Sequence, residues 1–574
     1  MEPPKKRPRR NNDRVILQFD YDCFYAQVFE NKNPALKKQP VGVKQKNCLS
    51  TCNYNARALG LKKLMSVSEA KRLCPELVLV DGEDLTPFRD MSKTLFNYFK
   101  TFSWNHKVER LGFDEVFMDV TDIVEYNLFC LNRASLAESY FCLSKDDPER
   151  GFQCDLTSIA GCVEGAASLD SDAENPAYLR LLLGSHLARF LRLQIEERFG
   201  ITSTCGISTN KMLSKLVGSK NKPQNQTTLL ALTDDQLIAF VDGHKLRKIP
   251  GLGFKTVQTL GSHVGADMSE GMSEMPDLAD WPVTVSQVRL HPSISPGSIE
   301  TLLMGPGAEK GVGSRVWGLL HGVDPTEVKE ASDVPSQISI EDTYKGLDTM
   351  AQITEELHKL SYSLVRRMRV DLLVPDESAD VQGAQRWMAR PRTLRLSIRS
   401  WTPLHSAQGH SYGRVSRSGP LPSFVFDVKD DMDHIAERLV VEALLPLLRR
   451  LSPEKGQRWS LQMLNICVAN MVVGAADDKS GAGRDISVMF RRQDEVLKPF
   501  QVIADREEDA PQEEEPARPG VGNDYEHDED DDEDDSDQEM TDWDMEENVS
   551  CPLCGHLIPP FAIPAHQRYH EMGE

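Results

Sequence analysis

The sequence predicts a multidomain α+β protein followed by one long non-globular tail. Three observations predict it. Strand-like and helix-like apolar patterns alternate from residue 15 to about residue 475. At 574 residues the chain is too long for one ordinary domain. After residue 475 the composition collapses to Asp, Glu, Gly and Pro, with too few apolar groups to offset chain entropy, so residues 476–548 are expected to be disordered.

Residues 1–13 are a basic leader, and Lys5, Lys6, Arg7, Arg9 and Arg10 fit a nuclear localisation signal. VILQFD, ending on Asp20, reads as a buried strand. Val108 to Phe113 and Val116 to Val120 read as a hairpin with Asp114 and Glu115 at its bend. Residues 125–176, with the Gly/Ser/Asp-rich CVEGAASLDSDAENP, are expected to form a loosely ordered surface insertion. From Ala177 to Phe199 leucines recur at spacings of three and four, a helix that Gly200 stops. LRKIPGLGFKTVQTLG has the shape helix–hairpin–helix; its Gly251-Leu-Gly253 turn suits a phosphate, and equally suits an ordinary helix connection. Residues 262–310 are Gly/Pro/Met-rich and are expected to be a second loop insertion. An amphipathic helix at 349–369 and the strands TLRLSIRSW and LQMLNICVANMVV complete a small α+β domain.

Charge and cysteine usage bound the function. The net charge is −22, but residues 501–550 hold 23 Asp/Glu against two Arg, so the remainder sums to about −1. The folded part is therefore free to present basic clusters to phosphates. No run of about eighteen apolar residues predicts a membrane-spanning helix, and MEPPKKRPRR lacks the apolar core of a secretory signal. Twelve scattered cysteines suit a reducing compartment.

Chemistry concentrates in a few carboxylates. Asp20 ends a buried strand, Asp22 follows, and Asp114 and Glu115 sit on the separate hairpin. Carboxylates converging there would repel unless divalent cations neutralised them, and hard oxygens select Mg²⁺. Two such ions a few ångströms apart would serve phosphoryl transfer. At the far end, Cys551-x₂-Cys554, eleven residues, then His566-x₃-His570 is a four-ligand Zn²⁺ spacing, with the two histidines one helical turn apart.

DYDCFYAQVFENKNPALKKQPVGVKQ resembles the opening motif of the Y-family DNA polymerases, and VERLGFDEVFMDVTD is similar to that family's catalytic hairpin. TSTCGISTNKMLSKLVGSKNKP and IPGLGFKTVQTLG follow in family order, and TCNYNARALGLKK, between the first two segments, adds to the match. The resemblance runs through most of residues 14–260 and more loosely to about 475. It implies a right-hand polymerase: palm and fingers over 14–235, thumb over 236–330 and little finger over 336–475. The acidic tail and a zinc finger of ubiquitin-binding type over 549–574 would follow.

The implied activity is insertion of deoxynucleotides opposite damaged template bases, with primer–template DNA and dNTP as partners and the nucleus as location. A catalytically idle polymerase-fold scaffold is the alternative, and a two-metal nuclease would share the carboxylates. The resemblance assigns two Mg²⁺ ions, or Mn²⁺, to Asp20, Asp114, Glu115 and the backbone carbonyl of Tyr21. Tyr25, beside Phe24, takes the steric-gate position. Tyr54, Arg57 and Lys215 would hold the triphosphate, and Gln45 and Lys46 would lie over the templating base, with Cys48 and Ser50 beside them. Arg366, Arg367, Arg369, Arg392, Arg395, Arg399, Arg414 and Arg417 would contact DNA phosphates. In the terminal module Gln567 and Arg568 stand where relatives often carry an acid that contacts ubiquitin. Zinc binding is thus expected there, and binding of ubiquitin or a ubiquitinated sliding clamp is not implied with the same force. Gln493 to Phe500 has only a faint similarity to a sliding-clamp peptide, with Pro499 in place of the first aromatic.

Overall fold

Val15, Ile16, Leu17 and Phe19 are fully buried, which makes Ile16–Tyr21 the inner strand of the main sheet. In the computed structural model, described over residues 7–165, 175–265, 282–305, 309–375, 385–400, 414–451, 459–473 and the backbone of 549–550 and 557–558, this sheet has six strands. Their order is Val108–Leu111, Glu115–Asp119, Ile16–Tyr21, Ser203–Ser208, Gln226–Leu229 and Cys162–Glu164. The first four are antiparallel neighbours and the last two join in parallel. The helix Lys211–Gly218 presses on the sheet so closely that a Cβ on Gly206 would stand 1.9 Å from the Ser214 carbonyl oxygen. Only glycine fits there. The helix Pro176–Phe199, ending at Gly200, buries leucines on several sides at once, between the sheet and the helix Thr121–Phe129.

The expected loose insertion at 125–176 is corrected over its described part. Ser139–Cys142 and Gly151–Cys154 form a hairpin, and Cys162–Glu164 extends the main sheet. Phe141 is fully buried, and Phe152 stacks on Phe190 at 4.3 Å between ring centres. Those aromatics, spaced too irregularly to show a period, hold the segment down.

A smaller sheet orders Cys48–Cys52, Val41–Gln45 and Val78–Asp81 around its own apolar cluster, which includes Leu49, Leu61 and Leu77. Residues 234–320 form a helical unit: Asp234–Asp242, Phe254–His263, Val285–Arg289, Pro296–Leu303 and Val312–Leu320. The loop expected over 262–310 is therefore wrong for residues 282–305. Thr284 with Gln287 and Ser295 with Ser298 make reciprocal capping boxes, which start two short helices. Val285, Val288, Ile294 and Ile299 then fill the core. In the helix–hairpin–helix segment the first arm is a single turn, Leu246–Lys248.

The basic leader is engaged over its described part. Arg10 donates to the carbonyls of Ala231 and Thr233 and Arg7 pairs with Asp235 at 3.3 Å, while Arg14, just beyond the leader, donates to the carbonyls of Asp324 and Thr326. A four-stranded antiparallel sheet follows, ordered Gln337–Leu347, Leu461–Val473, Ala389–Ser400 and Val415–Pro420. The helices Met350–Leu372 and Met432–Leu439 cover one of its faces, meeting Leu394, Leu396, Ile398, Leu464 and Ile466.

The chain separates into two compact units, Met1–Asp477 and Asp478–Glu574. In the second, Val549–Ser550 pairs antiparallel with Leu557–Ile558. The four expected zinc ligands and the acidic tail lie outside the described residues. Among the described residues no helix is long and apolar enough to cross a membrane.

Candidate active site

Strand register builds the site. Asp20 lies directly opposite Glu115 in the antiparallel pair of Ile16–Tyr21 and Glu115–Asp119. The hairpin turns through Gly112, whose φ of +70° strongly favours glycine. The Tyr21 amide donates to the Asp114 carbonyl at 2.8 Å, which locks the bend onto the inner strand. Three carboxylates thus gather at one end of the sheet. Partial burial, then the nearby Asp20 and Glu115 charges, push the Asp114 carboxyl up to about 6.

Cations answer that charge. Lys222 Nζ stands 2.6 Å from Asp20 Oδ1, and Lys215 Nζ stands 2.6 Å from Glu115 Oε2. Lys215 was expected on the triphosphate; here it pairs with Glu115. Lys222 was missed, although it lies in the KNKP phrase, because nothing local says that this lysine returns to Asp20. Asp20 and Glu115 are drawn to separate lysines, and among the described residues no three His, Cys, Asp or Glu side chains form a ready metal cage. The donor set itself suits a hard divalent cation: carboxylate oxygens, mutual repulsion, and ammonium groups standing where cations would.

An open cleft of about 1340 Å³ runs from these carboxylates to the smaller sheet. Asp20, Tyr21, Phe24, Tyr25, Gln45, Tyr54, Arg57, Asp114 and Lys222 all line it; Lys46, Glu115 and Lys215 do not. The Tyr25 ring stacks on fully buried Phe88 at 4.0 Å and 11°, so a rigid aromatic pair forms one wall. Burial, then Asp114, push the Tyr25 hydroxyl up, which keeps it neutral. Phe88 is another residue the sequence did not single out.

The short helix Tyr54–Ala58 is pinned by Asn53, whose side-chain oxygen accepts from Val41 and Ala56 amides. Arg57 lies 4.5 Å over the Tyr54 ring and donates from Nε to the Cys52 carbonyl at 3.1 Å. Its guanidinium is therefore held by cation–π contact and a hydrogen bond, with donors left for an anion. On the smaller sheet Gln45 Nε2 donates to the Gly82 carbonyl at 2.8 Å. The Cys48 thiol and the Ser50 hydroxyl donate to the carbonyls of Gln45 and Val43. Lys46 reaches away, to Asp342 and the Thr343 carbonyl of the four-stranded sheet.

Comparison with known proteins gives the same frame. The profile of the impB/mucB/samB family matches residues 19–219, and that of the impB/mucB/samB family C-terminal domain matches residues 335–481. Human DNA polymerase iota is 33% identical over 460 residues, which is 80% of this chain and 52% of that protein. The mouse DNA polymerase iota is 32% identical over 461 residues, 80% of this chain and 54% of its own length. DNA polymerase IV of Pasteurella multocida is 26% identical over 361 residues, 62% of this chain and 77% of that protein. The chain spans about half the length of the mammalian relatives it matches. With family domains at both the carboxylate-bearing sheet and the C-terminal sheet, the chain belongs to the impB/mucB/samB family, the Y family.

Proposed function

We propose that the chain is a template-directed DNA polymerase of the translesion class. One observation carries the reading: a single cleft is lined by Asp20 and Asp114, the stacked Tyr25, the Tyr54–Arg57 pair and Lys222. The three relatives described above, each named as a DNA polymerase, support it.

Asp20, Asp114 and Glu115, with the Tyr21 carbonyl, would hold two divalent cations, Mg²⁺ or Mn²⁺. Bound there, such ions would activate the primer hydroxyl and neutralise phosphate charge. Arg57 offers its remaining donors to the triphosphate, where a planar fork suits two oxygens at once. Lys222 and Lys215, released from their carboxylates, add point charges. The Tyr25 ring, fixed on Phe88, would be the surface that a 2′-hydroxyl strikes. Gln45, Cys48 and Ser50 bound the space for a template base. Primer–template DNA and dNTP are the implied partners, and the basic leader is consistent with a nuclear location.

Primer extension by the full chain with Mg²⁺ or Mn²⁺, on intact and lesion-bearing templates, tests this. Nucleotide addition opposite a lesion is expected. No addition with either ion would sink the reading in favour of the idle scaffold. Zinc at Cys551, Cys554, His566 and His570 rests on ligand spacing. Metal analysis of the full chain should give one zinc, lost in the double variant Cys551→Ser/Cys554→Ser; an unchanged zinc content would end that assignment.

A further inference from the structure

Asp22 stands two residues beyond Asp20, and in the sequence it belongs to the same acidic group. Its surroundings are different. The side chain is only 2% exposed. Oδ1 accepts from the Thr204 hydroxyl at 2.9 Å, and Oδ2 accepts from the Thr202 hydroxyl at 3.0 Å and from the Gln224 backbone amide at 2.9 Å. Its backbone is equally fixed: the Asp22 amide donates to the Thr202 carbonyl at 3.0 Å, and Gln27 donates to the Asp22 carbonyl. A carboxylate so occupied has little left for a cation.

What Asp22 reaches matters more than what it lacks. Gln224 belongs to the loop that carries Lys222, the residue whose ammonium group stands on Asp20. That loop holds two non-glycine residues at positive φ, Asn221 at 53° and Gln224 at 51°. Such backbone persists only where its surroundings fix it. Three contacts do so: Asn221 Nδ2 to the Thr227 hydroxyl at 3.1 Å, Gln224 Nε2 to Glu196 at 3.3 Å, and the Gln224 amide to Asp22. Two of the three end on a carboxylate; the Asp22 contact is the shortest at 2.9 Å and its carboxylate is almost fully buried, so it is the strongest.

We propose that Asp22 is a positioning residue, which clamps the 221–224 loop so that the Lys222 ammonium group is presented to the nucleotide's phosphates beside Asp20. The inference rests on the polymerase reading and deepens it. Asp22 acts through Lys222 and touches no reacting atom.

The test is a double-mutant cycle on the full chain in single-nucleotide insertion assays. Lys222→Ala should raise KM for dNTP about tenfold, the size of one lost charged contact. Asp22→Ala should raise KM to a similar extent, with kcat changed much less and primer–template affinity unchanged. The double variant should be no worse than about twofold beyond the poorer single variant, since coupled residues do not add. Asp22→Asn should restore most of the KM. Its remaining oxygen would accept from the Gln224 amide and the Thr202 hydroxyl, and the Thr204 hydroxyl would turn to accept from its NH₂.

Should Asp22→Ala fail to fold, Asp22→Ser replaces it in the cycle, being polar but too short to reach Gln224. Fully additive effects, a loss in kcat with KM unmoved, or Asp22→Asn as damaging as Asp22→Ala would each overturn the proposal. If the wild-type chain adds no nucleotide, the polymerase reading itself fails. If it adds nucleotides and the cycle is additive, only this inference fails.

Discussion

In the six-stranded sheet, residues far apart in the chain are driven together; in the four-stranded sheet, arginines crowded into residues 366–417 are driven apart. Asp20 and Glu115 meet because two strands pair in one register, and Lys222 and Lys215 fold back onto them. The arginines go separate ways. Arg367 pairs with Asp371 along its own helix at 3.1 Å, and Arg369 donates to the carbonyls of Asp427 and Asp430. Arg414 pairs with Glu341 at 3.0 Å, while Arg417 sits on an edge strand opposite Leu396. Arg395 and Arg399 alternate with buried Leu394, Leu396 and Ile398, and so lie on the face away from the helices. Density of a residue type along the chain does not make a surface. Register does.

The sharpest break of that contrast is the double variant Asp114→Ala/Glu115→Ala. Extension should be abolished while DNA affinity stays within about twofold of wild type, because the arginines proposed to contact phosphates lie elsewhere. Near-normal extension would show that convergence at this register is not catalytic.

Next is the wall of the cleft. Tyr25→Ala should cost about tenfold or more in discrimination against ribonucleotides, the scale at which a pocket rejects one small group. Phe88→Ala should weaken discrimination less, by freeing the ring that Tyr25 stacks on. Unchanged sugar preference in a competition assay for Tyr25→Ala would move the gate elsewhere.

The arginines give a smaller and more discriminating effect. Arg395→Ala and Arg399→Ala should each flatten the salt dependence of DNA binding by about one ion. Arg369→Ala should leave that slope alone and lower stability by about 1–2 kcal/mol, having lost two hydrogen bonds to carbonyls. Equal slopes for all three variants would erase the distinction between faces.

The smallest effect is on pH. Asp114 is raised to about 6 from an ordinary 3.8, so without divalent cations the folded chain binds more protons than the unfolded chain between those values. Metal-free stability should therefore fall as pH rises from about 4 through 6, and added Mg²⁺ should offset the loss at the upper end. A contribution that instead grows with pH in wild type, relative to Asp114→Asn, would contradict the like-charge account of the site.

The sequence by itself determined the elements with strong periods and plain punctuation. The strand ending at Asp20, the hairpin carrying Asp114 and Glu115, the helix stopped at Gly200, and the helix and long strands of the C-terminal sheet were all legible, because burial on one face leaves a local pattern. Motif resemblance added Tyr25, Tyr54 and Arg57, which line one cleft. Tertiary structure alone decided the rest. Residues 139–164 are ordered by aromatic contacts with a distant helix, and residues 285–303 by caps and a shared core. Phe88 under Tyr25, Lys222 on Asp20 and Asp22 on Gln224 all join segments separated by long stretches of chain. A local pattern reports which side of an element is buried. Which distant partner fills that side depends on strand register and loop closure, and those are settled only when the whole sheet assembles.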